Sequence, residues 1–248
     1  MHFAATPLDV ELEGTVNTRD LGGLPTVHGV PTRPGCVWRS DAFTAVTPAD
    51  VETLAGRGVR TVIDLRTELE RHEEPHPLER DARFEVVHVD LFAPVLEGLM
   101  QGRVEGDPFD LRTHYRASLR LAHDGYRAVF GHLERALSEG LGPVVVHCTA
   151  GKDRTGLVSA LLLLAAGVEA DAIVLDYART SERITPLRPR LIAEAVAKGF
   201  TEETYAPLLE ARAETLHELL LEVDDELVEL ASEAATRWRS GASRTAER

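Results

Sequence analysis

Apolar residues along this chain follow two alternating spacings, and that alternation predicts the architecture. Short, nearly unbroken apolar runs occur at 59–66 (VRTVIDLR), 84–92 (FEVVHVDLF) and 142–147 (GPVVVH). Runs of this kind, rich in β-branched residues and bounded by glycine or charge, are expected of strands buried on both faces. GCVWRSD (35–41) reads as a further short strand and its exit. Between these runs the spacing becomes helical. TPADVETLAGRG (47–58) has a Thr N-cap, a proline at the first helical position and a glycine stop. A glycine- and acid-containing loop is expected at roughly 97–109, helix over about 110–138, and an apolar helix over 154–167. Strands interleaved with helices predict an α/β fold with a mostly parallel central sheet flanked by helices.

Residues 186–237 read as helical throughout. Leu187, Leu191, Ile192, Ala195 and Val196 fall at helical spacing, and Leu216, Leu219, Leu220, Val223, Leu227 and Leu230 repeat the pattern. The plain reading is helices packed on the sheet. The sharper one is that the block around 186–215 forms a lid over a pocket. No internal repeat divides the chain, so the expectation is a single domain over 1–239 and a flexible tail at 240–248.

Bulk properties narrow the function classes. A chain of 248 residues, 44% hydrophobic, can bury a sizeable core. Its two cysteines, Cys36 and Cys148, are too few for a disulfide framework and read as reduced thiols. The longest apolar run, LVSALLLLAAGV at 157–168, is too short to span a bilayer. The opening MHFAATPLDVELEG lacks a basic segment followed by an apolar core, so no signal peptide is read and the expected location is cytoplasmic. A formal net charge of −14 disfavours nucleic acid and anionic membrane surfaces as general partners. It leaves room for one local basic pocket.

That pocket is signalled by VVVHCTAGKDRTG, residues 144–156. Cys148 stands at the carboxyl end of a predicted strand and Arg154 at the start of a helix, with Thr149, Ala150, Gly151, Lys152 and Asp153 between them. In an open α/β sheet, ligands bind at that edge. A loop turning there aims successive N–H groups inward, and the helix N-terminus adds partial positive charge. The result is a cup for a tetrahedral dianion, which the planar fork of Arg154 completes by holding two oxygens at once. The same field favours the thiolate of Cys148, the form that attacks phosphorus. Gly151 allows close backbone approach, Thr155 can donate its hydroxyl towards the sulfur, and His147 can orient the cysteine through its ring or backbone.

HCTAGKDRTG (147–156) resembles the signature of the cysteine-dependent tyrosine and dual-specificity phosphatases, and its Lys-Asp-Arg-Thr-Gly ending is similar to that of the atypical bacterial tyrosine phosphatases. NTRDLGG (17–23), WRSD (38–41), VIDLRTELE (62–70) and IVLDYARTSE (173–182) resemble further blocks of that family. The resemblance implies the corresponding fold, Cys148 as nucleophile, Arg154 as phosphate clamp, Lys152 as an added binding group and a helical lid near the site. It also implies phosphotyrosine in proteins as substrate, with phosphoserine and phosphothreonine as extensions, through a phosphocysteine intermediate and without metal or cofactor. Related lipid phosphatases carry a lysine at the position of Lys152, which makes phosphoinositides the alternative substrate. A non-catalytic binder of phosphorylated ligands is the third reading, opposed by intact Cys148, Arg154 and Thr155.

Ester hydrolysis also needs a proton donor for the leaving oxygen. Asp153 lies inside the loop, where a bound dianion and the thiolate favour its protonated form while Lys152 and Arg154 oppose it. Asp90, ending VVHVD, is the second candidate. Asn17, Arg19 and Asp20, with Arg39, Ser40 and Asp41, are expected to brace the loop from behind. Asp64 and Arg66 read as a structural ion pair, Cys36 as a core residue, and His72 and His76 as solvated rather than metal-binding.

Overall fold

The computed structural model describes residues 9–75, 77–107 and 110–241. The chain opens with β1 (Arg19–Asp20), β2 (Val37–Ser40), α1 (Pro48–Gly56), β3 (Thr61–Asp64), α2 (Glu68–Glu73) and β4 (Glu85–His88). It continues through α3 (Ala93–Met100), α4 (Leu111–Leu121), α5 (His123–Glu139), β5 (Val144–His147) and α6 (Asp153–Ala165). The last part is helical: α7 (Ala170–Ala178), α8 (Thr180–Arg183), α9 (Arg188–Ala197), α10 (Glu202–Tyr205), α11 (Ala213–Leu220) and α12 (Asp225–Ser240).

One five-stranded sheet has the order β1-β2-β5-β3-β4. Only the β1–β2 pair is antiparallel; β5 pairs in parallel with β2 (Val37 opposite Val144) and with β3 (Thr61 opposite Val144), and β3 with β4. The fold is the expected α/β arrangement. Successive side chains of a strand point to opposite faces, and both faces are apolar here. Val37, Ile63, Val144 and Val146 join Tyr126, Phe130, Leu161 and Trp238, contributed by α5, α6 and α12. Trp38, Val62 and Val145 meet Phe43, Leu54 and Leu78 on the other face. Burial on both sides is why these strands read as continuous apolar runs.

Local caps fix where helices begin. Thr47 and Asp50 form a reciprocal capping box at α1, and Thr67 and Glu70 form another at α2. At the far end, the indole of Trp238 donates to the Arg33 carbonyl (2.8 Å), tying α12 to the loop before β2.

Several boundaries differ from expectation. The predicted loop at 97–109 begins later, because α3 runs to Met100. Gly98, which suggested a loop, is where α3 approaches α4: a Cβ there would stand 2.4 Å from Leu121 Cδ1. The helix expected over 110–138 is two helices meeting at Ala122, whose carbonyl-side geometry (φ −101°, ψ 24°) closes α4 and opens α5. The 186–237 block is not continuous helix. It is broken after α9 at Gly199 (φ +97°), and again by the turns at 206–212 and 221–224. Its last part, α12, lies on the core with Leu227, Ala231 and Trp238 buried. Of the stretch 240–248 expected to be a flexible tail, Ser240 closes α12 and Gly241 caps it (φ +60°), and 242–248 lie outside the described residues. His76 and residues 1–8, where the signal-peptide reading begins, also lie outside them. No helix among the described residues is long and apolar enough to cross a membrane.

Candidate active site

β5 ends at His147, and the chain turns through Cys148–Lys152 into α6. Cys148, Thr149, Ala150, Gly151 and Lys152 are therefore on one turn at the carboxyl edge of the sheet, and Asp153, Arg154 and Thr155 open α6 directly after it. Cys148 is 2% exposed at the floor of a cavity of about 460 Å³, whose inner lining includes Thr149, Ala150, Asp153 and Arg154.

The loop's outward side is pinned by hydrogen bonds. The Thr149 carbonyl accepts from the Ala42 N–H (3.0 Å). Asn17 Nδ2 donates to the carbonyls of Ala150 (3.0 Å) and Gly151 (3.2 Å), and Arg39 Nη2 donates to Gly151 O at 2.7 Å. In a planar trans peptide the next N–H points opposite to the carbonyl. Holding three successive carbonyls back therefore turns the N–H groups of Ala150, Gly151 and Lys152 away from these braces, the arrangement an anion-binding nest requires. Gly151 sits at φ +66°, and a Cβ there would lie 2.4 Å from Ser40 O, so this position requires glycine on both counts.

The braces form a buried network. Arg39 Nη1 lies 2.5 Å and Arg19 Nε 2.7 Å from the Asp176 carboxylate, and Arg19 also donates to Asn17 Oδ1. Burial would raise the Asp176 carboxyl, but the charges of Arg19 and Arg39 hold it down to about 2. Asp41 accepts from the N–H groups of Val16 and Asn17, and burial pushes its carboxyl up to about 6 against those hydrogen bonds. Asp20 does not brace the loop. It holds the N–H groups of Gly22 (2.8 Å) and Gly35 (2.5 Å), fixing the turn that leads into β2. Asp64 and Arg66 are the expected buried ion pair (2.8 Å), and Cys36 is buried in the core, its thiol pushed up by burial.

Arg154 is held by Glu70. Their contacts are bidentate, Nη1–Oε2 2.6 Å and Nη2–Oε1 2.8 Å, and Thr149 Oγ1 donates to Glu70 Oε1 at 2.5 Å. Burial would lower the Arg154 guanidinium's pKa, but the Glu70 hydrogen bonds and the charges of Cys148, Glu70 and Asp153 raise it. Burial likewise opposes ionisation of Glu70, yet Arg154, Thr149 and the Thr67 N–H bring it to about 2. Nη1 further donates to Leu65 O (3.3 Å) and Nη2 to Thr149 Oγ1 (3.3 Å), which leaves Nε as the guanidinium N–H with no hydrogen bond among the described residues.

His147 Nδ1 lies 3.1 Å from the Cys148 carbonyl, and burial pushes the imidazole down, favouring the neutral ring. Thr155 is fully buried, and its hydroxyl makes no hydrogen bond among the described residues. Lys152 departs from the expected position: it is 1% exposed and its ammonium donates to the Leu208 carbonyl and lies 3.3 Å from Asp153 Oδ1. The two acid candidates separate clearly. Asp153 lines the cavity, whereas Asp90 accepts from the N–H groups of Phe92 (2.8 Å) and Ala93 (2.9 Å), holding the turn that leads into α3.

The upper wall comes from α2 and the 186–215 block. Leu191, Ala195, Phe200, Tyr205 and Leu209 make its apolar part, with the rings of Phe200 and Tyr205 5.6 Å apart. Glu74 pairs with Arg190 (2.5 Å) and Glu73 with Lys198 (3.8 Å), linking α2 to α9 and its end. Glu70, Asp176, Tyr115 and Tyr177 are site residues that sequence reasoning missed. The T-x-x-E pattern at 67–70 signals a helix start and thus Glu70's capping role; nothing local signals its second contact.

A parallel sheet that delivers a cysteine-to-arginine turn onto a helix N-terminus is the architecture of the cysteine-dependent phosphatases. The chain belongs to the tyrosine phosphatase family, whose family model matches residues 10–229. It is 32% identical over 227 residues to a candidate tyrosine-protein phosphatase of Cupriavidus necator, covering 87% of this chain and 79% of that one. It is 31% identical over 217 residues to the triple specificity protein phosphatase PtpB of Mycobacterium tuberculosis, covering 78% and 76%. A tyrosine-protein phosphatase of Nostoc commune shares 38% identity over 133 residues, 54% of this chain and 44% of that relative.

Proposed function

We propose that this protein hydrolyses phosphotyrosine in proteins through a phosphocysteine intermediate. The observation that carries the reading is that Cys148, Ala150, Asp153 and Arg154 line one cavity, with the carbonyls of Thr149, Ala150 and Gly151 tied to Ala42, Asn17 and Arg39 and the Arg154 Nε left without a hydrogen bond among the described residues. The phosphoryl oxygens sit in the nest and on Arg154. Sulfur of Cys148 attacks phosphorus in line while the phenolic oxygen departs with the proton of Asp153. Asp153 then takes a proton from the water that cleaves the S–P bond, and Thr155 donates to the departing sulfur. Lys152 supports the site by holding the 206–209 turn and Asp153. The block around 186–215 serves as the lid, its Phe200 and Tyr205 rings receiving the substrate's ring.

Three observations favour a phosphorylated protein side chain over a phosphoinositide. Lys152, the residue that suggested a lipid headgroup, is turned onto a main-chain carbonyl. Glu73, Glu74 and Glu194 line the cavity, where they oppose further phosphates. Two of the relatives are named as tyrosine phosphatases, although PtpB is named for triple specificity.

The test is turnover of p-nitrophenyl phosphate and a phosphotyrosine peptide in EDTA, beside short-chain phosphoinositides, with vanadate inhibition. Native protein should favour the peptide. Cys148→Ser should lose turnover while still binding vanadate, and acid quenching of native protein should trap phosphate on Cys148. Turnover retained by Cys148→Ser, or activity confined to the lipid, overturns the proposal; no turnover at all leaves a phospho-ligand binder.

A further inference from the structure

A hydrogen bond and an ion pair meet on a single oxygen of Asp153. Tyr115, on α4, donates its hydroxyl to Oδ1 at 2.5 Å, and the Lys152 ammonium lies 3.3 Å from the same atom. Oδ2 makes no hydrogen bond among the described residues, and the carboxylate side chain is 42% exposed. Behind Tyr115, the hydroxyl of Tyr177 on α7 stands 2.6 Å away, with the two rings edge-to-face at 6.4 Å. Both phenols are buried. Gly156 makes the approach possible, since a Cβ there would already be 3.1 Å from the Tyr177 ring.

The proton count in this chain has one economical solution. Tyr177 gives its proton to Tyr115, and Tyr115 gives its own to Asp153 Oδ1, so each hydroxyl proton is used once. Burial, then the neighbouring Asp153 charge, pushes the Tyr115 phenol well above its ordinary value, so it remains a donor. With the Tyr115 phenol donating to Oδ1 and the Lys152 ammonium 3.3 Å from it, a proton on that atom would face a donor and a cation. Tyr177, Arg154 and Tyr205 also feel the Asp153 charge, and Cys148 and Glu70 line the same cavity.

We propose that Tyr115, steadied by Tyr177, is a positioning residue that pins Oδ1 of Asp153 so that the transferable proton rides on Oδ2, facing the leaving oxygen. This rests on Asp153 being the general acid. Tyr115 touches no reacting atom; it acts through the carboxylate it orients.

A poor leaving group needs the proton more than a good one, so the test compares phenyl phosphate with p-nitrophenyl phosphate. Tyr115→Phe keeps the ring and removes the donor. It should lower kcat/KM for phenyl phosphate on the order of tenfold and for p-nitrophenyl phosphate by less than about threefold, since general acids contribute roughly 10²–10⁴ in all. Vanadate inhibition should not change. Tyr177→Phe should show the same pattern more weakly, and it carries the test if Tyr115→Phe does not fold. In Asp153→Asn, adding Tyr115→Phe should cost nothing further, because the group being oriented is gone. Equal losses on both esters, weaker vanadate inhibition, or losses that multiply in the double variant overturn the proposal while leaving Asp153 as the acid. If Asp153→Asn itself shows no dependence on leaving group, the acid assignment falls, and the proposal with it.

Discussion

Replacing Asp176 with Asn preserves its shape and removes the one negative charge between two buried guanidiniums. Arg19 and Arg39 have side chains 0% and 1% exposed, and Asp176 contacts them at 2.7 and 2.5 Å. Removing one partner of a buried ion pair costs about 3–5 kcal/mol, because the remaining charge stays desolvated. At roughly 2–4 °C per kcal/mol for a chain of this size, the melting temperature should fall by roughly 6–20 °C. Folding holds the Asp176 carboxyl down to about 2, so its contribution is fully present above the ordinary carboxylate range and is lost as pH falls through that value. The variant should therefore lack this acid-dependent part of the stability curve. Function should suffer separately. The other end of Arg39 holds Gly151 O at 2.7 Å, and a freed guanidinium releases that peptide and the Lys152 N–H it orients. A loss of about ten- to a hundredfold in kcat/KM for p-nitrophenyl phosphate is expected, the scale of small misplacements in a site. Circular-dichroism melts from pH 1.5 to 8 and steady-state kinetics at 25 °C measure both. Arg83→Ala, at the exposed Glu52–Asp81 cluster, is the comparison and should move the melt far less. A melting point for Asp176→Asn within about 2 °C of the native protein, with full turnover, would refute the reasoning.

Gly151→Ala should destabilise by at least about 2 kcal/mol, from the left-handed backbone and the clash with Ser40 O, and should reduce vanadate affinity; chemical denaturation and inhibition assays check it. Glu70→Gln should flatten acid unfolding: the native carboxyl is held to about 2, so stability on the order of 2–3 kcal/mol is present above its ordinary value and lost as pH falls to about 2, a slope the variant should not show. Asp90→Ala should cost about 0.5–1.5 kcal/mol per hydrogen bond as the Phe92 and Ala93 N–H groups lose their acceptor, a change read by thermal melts, while the leaving-group dependence stays intact, in contrast to Asp153→Asn.

The legible part of the site is its local part. Cys148, Gly151 and Arg154 declare themselves because strand, turn and helix N-terminus are contiguous, and each residue type answers a need within a few positions of itself. The sheet was legible for a related reason: strands buried on both faces leave unbroken apolar runs at 61–64 and 144–147. What the sequence concealed are contacts across long separations. Asn17 reaches Ala150 across 133 positions, Arg39 reaches Asp176 across 137, and Tyr115 reaches Asp153 across 38. Asn17 and Arg39 could be placed as braces, but Asp20, adjacent to both in pattern, belongs to a different turn. Gly98 and Ala122 show the complementary error, in which a residue suited to a loop serves close packing and a residue suited to a helix divides one.

Glu70 shows why such double roles escape a linear reading. Its Oε2 accepts the Thr67 N–H at 2.7 Å to cap α2, and the same carboxylate grips Arg154 by both terminal nitrogens. The capping role is local and sufficient to explain a glutamate at that position, so nothing in the sequence demands a second explanation. Physically, however, the two roles are one constraint. The start of α2 fixes where the carboxylate lies, the carboxylate fixes where Arg154 is held, and α2 is tied through Glu73 and Glu74 to the helix that roofs it. A shift of α2 would thus move Arg154 and the roof together, which couples the width of the cavity mouth to the geometry at its floor.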